Sequence, residues 1–206
     1  MRQRAFAWVI FLAFPLVVGA QNTPKLKPGD TIPASVKSVK MLSVTGHQLS
    51  IADVKGPKGT LVIFSCNSCP WVKAWETRIA EVGNWAQKQG IGVIMINPND
   101  PAKNPEDSYE VMQQRAKERG FEFPYVVDAT SDVARAFGAT HTPEFFLFDA
   151  TGKLVYTGAL DDNARNPEAV KERYVKNAIE ALLAGRPIPV AQTRSIGCTI
   201  KFREKI

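Results

Sequence analysis

The sequence predicts an α/β fold: a three-layer α/β/α sandwich with a mixed central sheet and an N-terminal β-hairpin. Three observations carry this reading. Residues 60–65 (TLVIFS) and 91–97 (IGVIMIN) are continuous apolar runs of strand length, as expected for strands buried on both faces. Between them Trp71, Trp75, Ile79, Val82 and Ala86 recur at three- and four-residue intervals, the spacing of one helix face. Further along, 144–149 and 153–157 are apolar runs joined by a turn at Thr151-Gly152, an antiparallel pair. Strand–helix alternation followed by a hairpin needs both parallel and antiparallel neighbours in one sheet.

The elements follow in order. Met1 to Arg4 carry two arginines, and residues 5–20 (AFAWVIFLAFPLVVGA) carry no charge before the chain turns polar at Gln21-Asn22. A basic start, an apolar stretch and a small-residue end at Val18-Gly19-Ala20 form a secretory signal peptide, residues 1–20. The stretch contains Pro15 and is shorter than the ~20 apolar residues of a spanning helix, so no membrane anchor is expected after cleavage behind Ala20. Residues 21–33 form a Pro/Lys/Gly-rich leader over the surface, and 34–206 the folded domain. Residues 35–51 alternate around Thr45-Gly46, a hairpin. Pro70 suits the first turn of the long helix and Gly90 its stop. Asn104-Pro105-Glu106-Asp107 has the cap, proline and acids of a helix start, with Gly120 ending that helix. Residues 124–128 read as a short strand, and 131–137 as a short helix closed by Gly138. Asn166-Pro167-Glu168 opens a last helix with Val170, Tyr174, Ala178 and Leu182 on one face and Gly185 beyond it.

Composition narrows the function. With 45% hydrophobic residues, the 206-residue chain can fill one core and is no disordered tail. The excess of 26 Lys+Arg over 20 Asp+Glu is scattered, whereas nucleic-acid binding needs a clustered basic patch. Export implies a periplasmic or secreted destination where disulfides persist. Three cysteines cannot staple a fold of this size, so each is read for its chemistry.

Cys66-Asn67-Ser68-Cys69 lies between the first buried strand and the long helix. Two cysteines at this spacing close a small disulfide ring with little backbone movement. Free N–H groups and the helix dipole favour a thiolate there, which makes Cys66 the expected attacking sulfur and Cys69 the resolving one. Zinc would need a second Cys/His pair, and neither His47 nor His141 forms one with Cys198 by spacing. A permanently oxidised structural disulfide is the other reading of the pair. Asp161-Asp162 lacks a third oxygen ligand and reads as a loop or helix cap. Residues 106–119 read as a solvated helix face.

The segment from Ile63 to Val72 (IFSCNSCPWV) resembles the active-site segment of thioredoxin-fold proteins of the redoxin (AhpC/TSA-like) family, in the peroxiredoxin-like branch with a Cys-Asn-x-Cys-Pro motif. Thr142-Pro143 with 144–149, then Gly158, Asp161-Asp162 and Gly197-Cys198-Thr199-Ile200-Lys201, extend the likeness from about Gly29 to the C-terminus. The resemblance implies a thioredoxin-like sandwich and an exported thiol–disulfide oxidoreductase working through Cys66 and Cys69. It also implies a cis Thr142-Pro143 bond facing the cysteines, so that Thr142, Pro143 and the neighbouring Trp71 border a substrate groove. Cys198 and His141 are auxiliary redox candidates: Cys198 by resolving an oxidised Cys66, His141 by sharing protons with it. No cofactor or resident metal is expected, and the partner is a protein dithiol or disulfide, or a small thiol.

The chain departs from its relatives in two places. Typical peroxiredoxins carry Pro-x-x-x-Thr-x-x-Cys. Here Gly59 and Ile63 hold those positions before Cys66, which leaves a thiol-dependent peroxidase as an alternative. Sco-like copper chaperones use two cysteines and a histidine on a similar fold, and Cys66, Cys69 and His141 would suit Cu(I). Their cysteines lie three residues apart, whereas here the gap is two.

Overall fold

A computed structural model describes residues 24–204; the expected signal peptide and the first leader residues lie outside the described residues. The hairpin expected near Thr45-Gly46 is β1 (Met41–Ser43) with β2 (Gln48–Leu49), paired antiparallel. Then follow β3 (Gly59–Phe64), α1 (Pro70–Lys88), β4 (Ile91–Asn97), α2 (Tyr109–Arg119), β5 (Tyr125–Val127) and α3 (Asp132–Phe137). Next come β6 (His141–Thr142), β7 (Glu144–Asp149), β8 (Leu154–Gly158), α4 (Tyr174–Leu183) and β9 (Cys198–Thr199). Seven strands form one sheet in the order β2-β1-β5-β4-β3-β7-β8. The β3–β4 and β4–β5 pairs are parallel, and β3–β7, β7–β8 and β1–β5 are antiparallel, so the sheet is mixed as expected.

Strand alternation builds two cores. Leu61 and Ile63 point to the face covered by Trp75 and Ile79 of α1, Met112 of α2 and Ile179 of α4. Val62 and Phe64 point to the other face, against Val133 and Phe137 of α3. Phe64, Phe137 and Phe146 meet there edge to face, with centroids 5.2–5.7 Å apart. No helix among the described residues is long and apolar enough to cross a membrane.

Two expected helix starts fall elsewhere, for one reason. Asn104 and Asn166 each cap only a single 3₁₀ turn, Pro105–Asp107 and Pro167–Ala169, by accepting from Glu106 N and Glu168 N. The backbone then swings back to extended at Ser108 and Val170. Ser108 opens α2 with its own cap to Val111 N, and α4 starts only at Tyr174. An Asn-Pro-Glu cap satisfies one turn, and the next residues decide whether the coil continues.

The outer edge of β8 is covered by residues 29–31 and by residues 191–193. Thr31 bridges Lys153, and Gly29 N donates to the Leu154 carbonyl. After α4 the chain returns along β8, where Thr157 N donates to Ala191 O and Thr193 N to Thr157 O. This return leads the last residues to the Cys66–Cys69 loop.

Candidate active site

The cysteine loop is where β3 stops and α1 begins. Ser65 N still donates to Ile96 O, so the sheet holds the chain up to the residue before Cys66. Cys69 is the N-cap of α1 and Pro70 its first residue, where a missing N–H costs nothing. From below, the buried carboxylate of Asp107 accepts from Asn67 N at 2.7 Å, Ser68 N at 3.0 Å and Ser68 Oγ at 2.8 Å. Asn99 Nδ2 donates to it as well, at 2.8 Å. Buried charge is tolerable only when hydrogen-bonded this fully. Asn67 is pinned a second time: its Nδ2 donates to Glu106 O, and its Oδ1 accepts from Tyr125 Oη at 3.0 Å. Burial raises the Tyr125 hydroxyl well above its ordinary range, which keeps it a donor. Asp107, Asn99 and Tyr125 escaped the sequence reading. Asp107 was read as part of a helix start and then of a solvated face, and only the short 3₁₀ turn aims it inward.

Thr142-Pro143 is a cis peptide, as the resemblance implied. Thr142 Oγ1 lies 3.1 Å from Cys66 Sγ, and the Thr142 carbonyl lies 3.1 Å from Cys69 Sγ, to which the thiol donates. Glu144 fixes this corner: its Oε2 accepts from Thr140 N at 2.9 Å, and its Oε1 is met by Lys25 Nζ and Ser195 Oγ. Trp71 packs half-buried against the cysteines, with the Arg165 guanidinium 5.3 Å from its ring centroid.

The two thiols titrate as one hydrogen-bonded pair, with Cys66 raised and Cys69 lowered. Cys66 is pushed far up by donating to Cys69, by burial and by the Asp107 charge. Cys69 falls from 9.0 to about 5, because the Cys66 thiol donates to it and Cys198 and the Val72 N–H add to this. The helix start does favour a thiolate, but Cys69, not Cys66, occupies the cap.

Cys198 also stands where spacing could not place it. Its Sγ is 2.6 Å from Cys69 Sγ, so it approaches Cys69 rather than Cys66. All three cysteines are free. His141 is directed elsewhere: its Nδ1 pairs with Thr140 Oγ1 at 2.8 Å. Among the described residues no group of three His, Cys, Asp or Glu is arranged to hold a metal. The His141 arm of the Cu(I) site is therefore not assembled. His47 lies in the β1–β2 hairpin, and Asp161 receives Trp75 Nε1 at 2.7 Å and Arg78, a structural role. Chemically, the arrangement is a buried dithiol with a third thiol in reach, held rigid by a hydrogen-bonded carboxylate.

Residues 29–157 match the model of the AhpC/TSA family. An uncharacterised conserved protein of Geobacillus kaustophilus is 36% identical, covering 95% of this chain and 100% of its own, with a TM-score of 0.80. A hypothetical protein of Sinorhizobium meliloti 1021 is 32% identical, covering 89% and 98%, also with a TM-score of 0.80. The thiol-disulfide oxidoreductase ResA of Geobacillus thermodenitrificans is 28% identical over 147 residues, which are 69% of this chain and 78% of that protein. A thioredoxin-like protein solved in its oxidised form superposes with a TM-score of 0.60. With the cysteine loop, the cis-proline and the mixed sheet in place, the chain belongs to the AhpC/TSA family of thioredoxin-fold proteins.

Proposed function

We propose that this thioredoxin-fold oxidoreductase exchanges disulfides with a protein dithiol or a small thiol through Cys66 and Cys69, which alternate between dithiol and disulfide. The observation that carries the reading is the pair at the start of α1, packed against Thr142-Pro143. Asp107 keeps the loop rigid through the cycle, so closing the ring moves little besides the two sulfurs. Thr142, Pro143 and Trp71 form the wall around the pair. The similarity to ResA proteins, named thiol-disulfide oxidoreductases, points the same way. Residues 1–20 are proposed as a signal peptide delivering residues 21–206 to the periplasm or the exterior, where the pair meets oxidised partners.

Replacing Cys69 by Ser tests the assignment. Turnover of a peptide disulfide with dithiothreitol as reductant is expected to fall to the uncatalysed level, and unchanged turnover overturns it.

A thiol peroxidase is the second reading, favoured by the Thr142 hydroxyl at 3.1 Å from Cys66 Sγ. Stopped-flow mixing with hydrogen peroxide separates the two. A dithiol exchanger oxidises slowly, and a dedicated peroxidase within the mixing time.

A further inference from the structure

The cis-proline edge is already occupied. β9 pairs antiparallel with β6, setting Cys198 opposite Thr142 and Thr199 opposite His141. Gly197 comes so close that a Cβ there would stand 2.3 Å from the Thr142 carbonyl oxygen; only glycine lets the strand lie this near. An extended segment beside a free strand edge is how thiol enzymes of any design would hold a peptide, by backbone pairing that brings a sulfur into line. Here the chain supplies that segment itself.

The strand is tied down on both sides. Before it, Ser195 Oγ donates to Glu144 Oε1 at 2.6 Å. After it, Ile200 N donates to Thr140 O, Lys201 N to Asn99 Oδ1 at 2.9 Å, and Arg203 N to Ser131 Oγ at 2.9 Å. Beneath it Cys66 and Cys69 are each only 2% exposed, while Cys198 is half-buried. A protein partner therefore meets Cys198 before either sulfur of the pair.

We propose that β9 is an internal substrate strand and that Cys198 completes a three-sulfur relay in which Cys69 is the shared centre. This rests on the exchange reading of Cys66 and Cys69. Starting from the Cys66–Cys69 disulfide, the Cys198 thiolate attacks Cys69 Sγ. The Cys66–Cys69 bond breaks, the Cys69–Cys198 bond forms, and Cys66 leaves as a thiolate that takes up the proton Cys198 gave up. No electron enters or leaves in this step. A partner dithiol then attacks Cys198 Sγ through one thiolate and expels Cys69 as the leaving thiolate. The partner's second thiol displaces Cys198 from the mixed disulfide. The partner ends as a disulfide, two electrons have moved, and all three cysteines are thiols; the reverse sequence reduces a partner. Cys69 and Cys198 Sγ are in direct contact, so the transfer needs little movement.

The test uses the full chain as wild type, Cys66→Ser, Cys69→Ser and Cys198→Ser, each checked for folding by circular dichroism. One equivalent of diamide is added, free thiols are blocked with N-ethylmaleimide, and the linked peptides are mapped by mass spectrometry. The relay requires Cys66→Ser to form an intramolecular Cys69–Cys198 disulfide at a rate independent of protein concentration, and wild type to show both linkages. It also requires iodoacetamide to label Cys198 of the reduced wild type at least about tenfold faster than Cys66, and Cys198→Ser to lose about tenfold in rate on a protein disulfide. The relay is overturned if Cys66→Ser keeps two free thiols or links only between copies. It is equally overturned if Cys198→Ser exchanges with a protein disulfide as fast as wild type. Undiminished turnover by Cys69→Ser would instead overturn the exchange reading, whereas turnover lost in Cys69→Ser but kept in Cys198→Ser overturns the relay alone.

Discussion

Asp107 supports the candidate site from inside the protein. Its buried carboxylate takes two backbone N–H groups and a hydroxyl from the cysteine loop. Asp107→Ala leaves those donors unpaired, and at roughly 1–3 kcal/mol for each buried orphan the loss of stability is expected to reach about 3 kcal/mol in urea unfolding. A loss well under 1 kcal/mol would show that water replaces the carboxylate. The same scale sets the acidity of the sulfurs. Cys69 sits near 5 chiefly because Cys66 donates to it, so far-ultraviolet thiolate absorbance of the reduced protein should titrate near pH 5. In Cys66→Ala that step should climb toward the ordinary thiol value, since the largest cause is gone. The cysteine pair was legible as letters at a strand–helix junction. Which sulfur carries the charge was not, because it depends on Asp107 and Cys198, distant in sequence.

The strands and α1 lie where periodicity put them, because their apolar spacing is set by the element itself. Capping signals were less decisive. Both Asn-Pro-Glu triplets made the local turn they encode, yet α2 waited for Ser108 and α4 for Tyr174. β6 and β9 carry two residues each, too short for any alternation, and they exist only as partners of one another. One contact at this scale gives a sharp prediction. Gly92 is the second residue of β4, where residues 54–56 press against it, and a Cβ there would stand 1.8 Å from the Val54 carbonyl oxygen. Backbone cannot yield as a side-chain tip can. Gly92→Ala is therefore expected to cost about 3 kcal/mol, read as a lower denaturation midpoint at unchanged slope.

Across the whole molecule, the leader from Pro24 onward and the segment after α4 meet at the site. Lys25 from the leader and Ser195 from the tail both reach Glu144, one residue beyond the cis-proline. Another buried acid, Asp128, is pushed up to about 6 by burial, with Oδ2 accepting from Ala134 N. A folded-state value raised from 3.8 means that the native state holds the extra proton. The stabilisation is then fully present below about pH 4 and is lost as pH rises through about 6. At neutral pH the buried charge costs up to about 3 kcal/mol relative to acid. Asp128→Asn cannot ionise, so the stability difference from wild type should move in the variant's favour by that order between pH 4 and pH 7. Urea unfolding at the two pH values checks this, and a difference constant with pH would contradict it.

The sequence by itself determined the α/β class, the buried strands, the long helix and the placement of Cys66-Asn67-Ser68-Cys69 between them. These follow from periodicity and from residues adjacent in the chain. Only the tertiary structure decided that Cys198 stands against Cys69, that Asp107 turns inward under the loop, and that the last strand fills the edge at Thr142. Each of these depends on segments brought together from far apart, where burial, close approach and hydrogen-bond pairing decide, and none of those forces leaves a periodic trace in the letters.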